Sequence, residues 1–578
     1  MRGARLMFGL VAIGVLVHSS AGAAPARAEE RSAVLARSHA APWLRLQRPD
    51  GSFEDRLRNG RYGESMLGLA LLETGLRDGD RRQVNAGLAG LFWAIRRPQL
   101  RDQQPSVFEA FALAAAYNLA RRRLDGDPLF AALRPDWESW LRGLRPVLLG
   151  RRLPFHNHHV VEAAAVLELT ASGLSSGEQG TVLAHPAGSR RIAADFFNRV
   201  LPAVSRRRRT RVAGRPVALL VDVPGGHLAY QGLTVAFHAR AVMLLGAQAK
   251  PATRTALLRA ARASAALAAP DGDIAFSGRS QEQSWALSLT AYGALRAAAA
   301  VRGAERRALA ALARRSLRRL ALQHPVRDYG VAITPALGRW FAPALAGLDH
   351  YADATGFGGL TLLGLSWTAA EPQASAAGAP VRRGIAVLRA DRADLAVVRT
   401  RRLWWAVRRN GDRRCGLRCD FGLVALKARR PGGFEDVLRL RPRALGTAGP
   451  VLLRGRRQLK PVGVRMGRRG RSLIVGTRFG RRYARFRFAP GRCGPVMSWP
   501  ARRGDRFEYS VYLPPGSQLR RRRRGLETGG LLLRSRSRLR ARMTGDLLAS
   551  GADPQLTRAL LTVRARRSGP LRIEHCPR

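Results

Sequence analysis

Hydrophobic residues recur with two different periods along this chain. From about residue 40 to 370, apolar positions return every three or four residues, as on the buried face of a helix. The most apolar helical runs are 63–74, 107–120, 160–170, 233–245, 284–299 and 360–369, and less apolar runs at 82–96, 137–149, 191–204, 253–267 and 304–322 lie between them. This alternation predicts helical hairpins arranged as stacked or closed α/α units.

Beyond residue 380 the period changes from helical to alternating. Strands are predicted at 385–388, 395–398, 403–407, 473–475, 507–513 and 560–565, separated by turns rich in Gly, Asp, Arg and Pro. An Ala/Gly/Pro stretch at 373–380 stands between the two patterns. We therefore expect an incomplete (α/α) toroid of helical hairpins over 29–370, a linker over 371–380 and an antiparallel β-sandwich over 381–578.

Residues 1–28 are predicted to be a secretory signal peptide. Arg2 and Arg5 precede an apolar run at 6–17, and Ala26-Arg27-Ala28 offers a cleavage site with small residues. This run is too short to span a bilayer, and no later stretch reaches the ~18 uninterrupted apolar residues that a transmembrane helix requires. We expect an exported protein that is not transmembrane and lies outside the cell or in its envelope.

The four cysteines all fall in the last third of the chain and fit an oxidising compartment. Pairing of Cys415 with Cys419 and of Cys493 with Cys576 is favoured among the three connectivities that four cysteines allow. A zinc site is the alternative, although Cys-x3-Cys without a second close pair is a weak signal for one.

The net charge of +60 limits the choice of partner. Lysine occurs only at 250, 427 and 460, so 97 of the 100 basic residues are arginine, as coding bias toward GC-rich codons produces. Residues 381–578 carry 51 basic and 12 acidic groups, or +39 of the total. A cationic surface concentrates polyanions, and an exported protein seldom meets a genome. We therefore expect an acidic polysaccharide as partner and no nucleic acid; the oligomeric state is not indicated.

Side chains able to do acid-base chemistry cluster where the most apolar helices begin. Asn157, His158 and His159 open the third run, and Asn157 is either a helix cap or a functional group. Comparable positions before the other runs hold Tyr62, His227, Tyr230, Arg279, Gln281, Gln283 and Trp285. If alternate helices form an inner ring, all these turns emerge on one face of the toroid.

In this architecture the chain resembles the chondroitin, alginate and heparinase II/III-like polysaccharide lyases. Those families place an Asn-His pair at the start of a toroid helix, which Asn157-His158 resembles, and a catalytic tyrosine on a following hairpin, for which Tyr230 is the best match. The resemblance implies a further cation near the cleaved bond, with Arg279 and His227 as candidates. Two departures are that His159 stands where many relatives have another residue and that the sequence does not identify the second-domain histidine that some relatives use.

The chemistry of elimination from a uronate explains why these residue types belong together. The carboxylate must be neutralised before the C5 proton can leave, and Asn157 and Arg279 are suited to donate hydrogen bonds to it. His158, with an ordinary pKa near ~6.5, is a suitable base, and Tyr230 can protonate the departing oxygen. His159, His227, Gln281, Gln283, Trp285 and Tyr62 are expected to bind substrate. The scheme requires no metal or cofactor.

Two other classes of function remain open. An inverting glycoside hydrolase on an α/α toroid would need two carboxylates across the cleft, ~6.5–9.5 Å apart. Carboxylates available for such a pair are Glu64, Glu109, Asp222, Asp273 and Glu282. A non-catalytic envelope protein would instead bind acidic glycans through arginine, with an affinity that salt weakens.

Overall fold

The computed structural model of the protein describes residues 24–578 except 56, 58–62, 98–104, 146–154, 222–226, 279, 329, 336–352, 373–382, 391–392, 411–419, 439–449, 456, 514–516, 524, 529 and 549–555. Some sequence predictions concern residues outside this described part: most of the signal peptide, the linker, Tyr62, Asp222, Arg279, Cys415 and Cys419. These remain predictions.

Helices make up the first part of the described chain. In order they are α1 (Ala24–Leu46), α2 (Gly63–Asp78), α3 (Arg81–Arg96), α4 (Val107–Arg123), α5 (Pro128–Arg142), α6 (Asn157–Thr170), α7 (Pro186–Asp195), α8 (Leu201–Arg207), α9 (Ala229–Leu245), α10 (Pro251–Leu267), α11 (Ser284–Ala299), α12 (Gly303–Gln323) and α13 (Ala354–Ala369). Two short hairpins interrupt them, β1 (Arg209–Val212) with β2 (Arg215–Ala218), and β3 (Val326–Arg327) with β4 (Gly330–Val331).

The helices form a toroid with an inner ring of α2, α4, α6, α9, α11 and α13. Each inner helix packs on the next, and α13 packs on α2 to close the ring. The inner helices are parallel, because side chains at equal depth meet: Asn118 on α4 donates to the Glu168 carboxylate on α6 at 3.0 Å, and Arg240 on α9 reaches the same carboxylate at 2.7 Å. The N-terminal ends of these helices therefore surround one opening, called here the toroid mouth.

Close helix approach explains the small residues that the apolar runs contain. A Cβ atom on Gly232 of α9 would lie 2.4 Å from the Thr290 hydroxyl on α11, and one on Gly63 would lie 1.9 Å from the Thr355 hydroxyl on α13. The inner helices are buried on nearly all sides, which is why their sequences are apolar around the whole helix rather than along one stripe. The predicted toroid of helical hairpins is confirmed.

The second part of the chain is built from antiparallel strands. They are β5 (Gly384–Ala390), β6 (Ala393–Arg399), β7 (Leu403–Asn410), β8 (Asp420–Arg430), β9 (Gly433–Leu438), β10 (Val451–Arg454), β11 (Arg457–Leu459), β12 (Pro461–Arg469), β13 (Ser472–Phe479), β14 (Arg482–Pro490), β15 (Pro495–Ala501), β16 (Arg506–Leu513), β17 (Arg520–Arg522), β18 (Gly525–Thr528), β19 (Leu531–Ser535), β20 (Leu539–Leu548), β21 (Leu556–Arg564) and β22 (Gly569–Pro577).

Three sheets hold these strands in the described part of the chain. Strands β5 to β9 form the first sheet in sequence order; the second has the order β12-β13-β14-β15-β22-β19-β18-β17, and the third β11-β10-β16-β21-β20. One hydrophobic core draws residues from all three, including Trp405, Phe486 and Phe507. The predicted antiparallel β domain is confirmed, and so is the Cys493–Cys576 disulfide, which joins residues 83 positions apart.

The first sheet, β5 to β9, packs against the helical toroid. Leu388, Val397 and Trp404 belong to a buried cluster that also contains helical-domain residues, and the Trp404 ring lies 4.9 Å from that of Phe276. Because Phe276 belongs to the loop between α10 and α11, the β domain supports a segment that leads to the toroid mouth. No described helix is long and apolar enough to cross a membrane.

Candidate active site

The predicted Asn157-His158-His159 triplet opens α6 at the toroid mouth. The helix cap is His156, whose Nδ1 accepts from the backbone N–H of His158 at 3.3 Å, while Nδ1 of His159 accepts from the backbone N–H of His156 at 3.4 Å. The interpretation of Asn157 as the cap is therefore wrong, since Asn157 is the first helical residue and its side chain is almost fully buried.

The two histidines after Asn157 have different surroundings. His158 is half-buried, and its ring meets those of His156 and Phe108 edge-on at 4.6 and 5.6 Å. His159 is buried, and burial together with the nearby His156 lowers its pKa, which favours the neutral imidazole. Of the two, His158 is the more accessible to a ligand at the mouth.

Tyr230 stands in the first turn of α9, the inner helix next to α6. Its hydroxyl lies 3.1 Å from the Ser280 hydroxyl, and its ring lies 5.5 Å from that of Trp285 and 6.4 Å from that of His227. The structure thus brings Trp285, from the start of the fifth apolar run, to His227 and Tyr230 in the turn before the fourth run. Ser280, which lies against the tyrosine hydroxyl, was not predicted.

The loop that carries Ser280 has an unusual backbone. Ser280 and Glu282 have φ values of 57° and 52°, and Gly278 one of 96°. Left-handed backbone costs free energy for residues other than glycine, and it is retained where surrounding contacts enforce it, often at functional sites. Here Gly278 is required, because a Cβ atom would lie 2.5 Å from the Cα of His227. The loop is therefore pressed against the start of α9.

The remaining predicted ligands in this loop form a layer behind Tyr230. The Trp285 indole N–H donates to the Gln283 side-chain oxygen, and the Gln281 amide donates to the Gly278 carbonyl. Gln283 and Trp285 are each about 1% exposed. A sugar would reach them only if neighbouring side chains moved, so their contact with substrate stays a prediction, and their observed role is to support the tyrosine.

A buried ionic cluster fixes the other end of the same loop. Lys427 on β8 places its ammonium 2.9 Å from Asp271, 3.2 Å from Asp273 and 2.7 Å from Asp436 on β9. Arg319 on α12 pairs with Asp271 and lies 3.2 Å from Glu282.

Lys427 is fully buried within this cluster. Burial and the neighbouring guanidinium act to lower its pKa, but the three carboxylates outweigh them and raise it above the ordinary lysine value, so the group stays charged. Lys427 is one of only three lysines in an arginine-rich chain, and that rarity is the signal by which the sequence could have singled it out.

A second contact from the β domain reaches the loop just before Gly278. Arg408 on β7 is buried and donates to the Ser277 hydroxyl at 3.2 Å, while the Ser277 carbonyl accepts from the backbone N–H of Leu228 at 3.0 Å. The first β-sheet thus holds the loop from below through Arg408, Lys427 and Asp436. Sequence reasoning missed this support because the partners are more than 130 residues apart in the chain.

The helix N-termini at the mouth divide into two electrostatic groups. Each N-terminus carries roughly half a positive charge. On one side carboxyl groups compensate the free N–H groups of the first turn: Glu109 lies in the capping box of α4, Asp353 caps α13, and Asp55 accepts from the first N–H groups of α13 at 2.8 and 2.9 Å. Burial raises the pKa of both Glu109 and Asp353, so their contribution is by hydrogen bonding more than by charge.

Helices α6, α9 and α11 lack such compensation: they have no acidic residue in their first turns and no acidic cap among the described residues. These are the helices that carry His158, Tyr230 and Gln283. The histidine-tyrosine side of the mouth therefore attracts an anionic group.

Four of the five carboxylates considered for hydrolysis lie in the described part of the chain and are engaged there. Asp273 and Glu282 belong to the ionic cluster, and Glu109 accepts from the backbone N–H of Ser106 at 2.9 Å. Glu64 lies 3.9 Å from the Arg97 guanidinium. Burial raises the pKa of Glu109 to about 7 and also raises that of Glu64. Each of these four groups has a structural partner.

Several solved structures of known proteins are similar to this chain. A chondroitin AC lyase from Streptomyces coelicolor A3, in complex with chondroitin sulphate, is 15% identical with a TM-score of 0.50, covering 98% of this chain and 80% of that chain. A heparinase III structure is 8% identical with a TM-score of 0.49, covering 95% and 85%. An α-1,6-mannanase from Salegentibacter sp. HEL1_6 is 10% identical with a TM-score of 0.39, covering 58% and 98%.

No family model matches the chain, and no curated protein matches it either. At these identities the likeness is one of fold. It agrees with the order of elements found here, a ring of parallel inner helices followed by antiparallel sheets. The chain has a polysaccharide lyase-like fold.

Proposed function

We propose that the protein cleaves an acidic, uronate-containing polysaccharide by β-elimination. The observation that carries this proposal is the Tyr230 hydroxyl, held 3.1 Å from Ser280 at a helix N-terminus next to the one that bears His158. The absence of carboxylates from the first turns of α6, α9 and α11, within the described chain, supports an anionic ligand at this place. The lyase-like fold supports the reaction class.

The first step is neutralisation of the uronate carboxylate. The carbanion formed at C5 is costly while the adjacent carboxylate keeps its full charge, so hydrogen-bond donors must face it. Asn157 and Arg279 are the proposed side-chain donors, and the helix N-termini of α6 and α9 add positive potential. His159, kept neutral by burial, adds no charge of its own.

The second step is transfer of two protons. A base, His158 or a deprotonated Tyr230, takes the C5 proton; the electron pair of that bond forms the C4–C5 double bond, and the C4–O bond to the leaving sugar breaks. The departing oxygen takes a proton from the Tyr230 hydroxyl. Ser280 orients that hydroxyl, and Trp285 packs behind the ring. Positioned proton transfer of this kind typically contributes ~10²–10⁴-fold to the rate.

We also infer that the protein is exported, on the grounds of the predicted signal peptide. The Cys493–Cys576 disulfide supports this inference, because disulfides persist in oxidising compartments. Mass spectrometry of the protein recovered from culture medium or envelope fractions tests it, with an N-terminus at residue 29 as the expected result. Recovery of the full chain, Met1 included, from the cytoplasm would contradict it.

The elimination reaction is tested by the ultraviolet absorbance of unsaturated uronate ends. Purified protein is incubated with alginate, hyaluronan, chondroitin, heparin and heparan substrates, and the wild type is compared with Tyr230→Phe and His158→Ala. We expect an absorbance rise with at least one substrate and a loss of ~10²-fold or more in Tyr230→Phe, which removes the acid in either scheme. A comparable loss in His158→Ala identifies His158 as the base, and a small loss assigns that role to Tyr230.

Matched controls separate chemistry from folding. Tyr292→Phe removes a buried hydroxyl in the middle of α11, two turns from its N-terminus, where it contacts the Met243 sulfur, and His185→Ala removes an exposed imidazole. Both should keep the activity. New reducing ends without unsaturated ends would point to hydrolysis instead, and neither product from any substrate would refute the proposed reaction.

A further inference from the structure

Six exposed arginines gather at one edge of the β domain, away from the toroid mouth. They come from the start of β5, the β6–β7 turn, β8 and the β12–β13 hairpin, and are called here the arginine face: Arg383, Arg401, Arg402, Arg429, Arg468 and Arg471. The described part of the chain places no carboxylate within ion-pairing distance of any of them. Elsewhere on the same sheet Arg409 does pair, with Asp394 at 2.8 Å.

The backbone beneath these arginines is ordered by specific hydrogen bonds. The Thr400 hydroxyl accepts from the backbone N–H groups of Arg402 at 3.3 Å and Leu403 at 2.9 Å, which closes the turn between β6 and β7. The backbone N–H of Arg429 donates to the Arg402 carbonyl at 2.8 Å. The guanidinium groups therefore project from a fixed frame, which lowers the entropy that binding would cost.

Two neighbouring cavities lie among these side chains and share Arg401. The first, about 410 Å³, is lined by Arg383, Arg401, Arg468 and Arg471 together with backbone and small side chains of β5, β6 and β14. The second, about 460 Å³, is lined by Arg401, Arg402 and Arg429. The two cavities adjoin at Arg401, and each is larger than a single small anion requires.

Arg399 forms the inner wall of the first cavity and is 9% exposed. Its guanidinium donates to the Ala265 and Ala268 carbonyls at the end of α10, but its Nε has no hydrogen-bond partner among the described residues. No carboxylate in the described chain compensates its charge, and burial, aided by Arg315, lowers its pKa to about 9. Arg399 is thus a buried cation held by helix C-terminal carbonyls rather than by a carboxylate, and its charge adds positive potential to the first cavity.

We infer that the arginine face is a second binding site, one that takes the carboxylate or sulfate groups of an acidic polysaccharide. Guanidinium forks match such planar or tetrahedral oxyanions. None of the residues that line the two cavities is aromatic, so the stacking surface that single-stranded nucleic acid uses is absent from this described surface. An acidic polysaccharide, whose anionic groups are regularly spaced along the sugar chain, requires only the arginine side chains for binding and no aromatic stacking surface.

The arginine face is separated from the toroid mouth by the length of β7. Leu403 begins the strand next to the arginine turn, and Arg408, five residues later, touches Ser277 in the loop behind Tyr230. At ~3.3 Å per residue, Arg402 in the arginine turn lies roughly 20 Å from Arg408 and so from the loop behind Tyr230. A polysaccharide held at the arginine face is kept at high local concentration near the mouth, which raises its effective affinity.

The test measures binding without turnover. The full chain carrying Tyr230→Phe is titrated against a fluorescently labelled heparin oligosaccharide, and Kd is followed by anisotropy from low to high salt. Three face arginines are removed together as Arg401→Gln, Arg402→Gln and Arg471→Gln. The matched control removes three exposed arginines near the β19–β20 turn, roughly 24 Å away across the second sheet, as Arg534→Gln, Arg536→Gln and Arg538→Gln.

We expect Kd to rise ~10-fold in the face variant at physiological salt, with a shallower salt dependence, and to change less than ~2-fold in the control. Equal losses in both variants would mean that only overall charge matters and would overturn the inference. Displacement of the heparin probe by an equally charged single-stranded DNA at the same concentration would overturn the assignment to polysaccharide.

Melting curves verify that both variants fold. If the triple variant does not fold, Arg401→Gln alone replaces it, with an expected rise in Kd of ~2–3-fold. Because the Tyr230→Phe background does not turn over the probe, failure of elimination chemistry leaves this test intact.

Discussion

Replacing Lys427 by methionine tests whether the buried ionic cluster holds the loop behind Tyr230. Methionine fills a similar volume without charge. The substitution therefore keeps most of the van der Waals contacts of the Lys427 side chain and removes its ion pairs. It leaves four carboxylates, those of Asp271, Asp273, Glu282 and Asp436, around the single guanidinium of Arg319. The same change removes the ionic link between β8 and the helical domain while leaving the apolar contacts of Val424 and Ala425.

The expected loss of stability follows from the burial of the cluster. The Lys427 ammonium is fully buried and lies within 3.2 Å of three carboxylates, so solvent cannot replace it when it is removed. Breaking a buried ionic network from one side typically costs ~3–5 kcal/mol, because the opposite charges remain buried without compensation. We expect Lys427→Met to lower the free energy of unfolding by that amount, with little dependence on salt.

Urea unfolding and elimination kinetics measure the two consequences. Lys250→Met is the control, since Lys250 is exposed and the same substitution there should change stability by less than ~0.5 kcal/mol. A looser loop should also lower kcat more than it raises KM, because Ser280 no longer fixes the tyrosine hydroxyl. A Lys427→Met protein within ~0.5 kcal/mol of the wild type would refute the assignment of the cluster as the anchor of this loop.

Three further predictions concern single features of the structure. Ser280→Ala should reduce the elimination rate, measured by ultraviolet absorbance, by ~10-fold, and the variant protein should melt at the wild-type temperature. An unchanged rate would show that Ser280 does not orient Tyr230. Burial raises the pKa of Glu109 to about 7 against ~4.3 unfolded, so stability falls as pH rises between these values. Glu109→Gln, which keeps the cap, should therefore be up to ~3 kcal/mol more stable than wild type at pH 8 and equal to it near pH 4 in denaturant titrations; equal stability at pH 8 would contradict the shift. Replacing Cys493 and Cys576 by serine should cost up to ~4.5 kcal/mol in the same assay, from the 83-residue separation that the disulfide closes, and a loss below ~1 kcal/mol would contradict this account.

Hydrophobic periodicity located the inner helices but not their first residues. The fourth run was predicted to begin at 233 and the sixth at 360, whereas α9 begins at Ala229 and α13 at Ala354. The missed turns contain polar or small residues such as Gln231 and Thr355, which are buried but satisfied by hydrogen bonds, so hydropathy does not mark them as helical core. The same limit explains the cap of α6, because histidine is an uncommon cap and the adjacent Asn157 is a more usual one.

The sequence also could not show what supports the site. It named Tyr230 from a resemblance, but Ser280 had no signal of its own, since its role depends on a left-handed backbone that contacts with His227 impose. Lys427 is 156 residues from Asp271 along the chain, so only docking of the first β-sheet on the toroid brings them together. The sequence likewise does not distinguish Arg399 from the many other arginines, because only the tertiary structure shows that it is buried.

The sequence by itself determined the two-part architecture, because helical and strand periods are local consequences of which faces must be buried. It also determined the strongly cationic β domain and the small residues that let the inner helices approach closely. Only the tertiary structure decided which helix N-termini lack carboxylates, which carboxylates are already paired, and which arginines share a cavity. Those properties depend on distances between segments far apart in the chain, and no local pattern of residues encodes such distances.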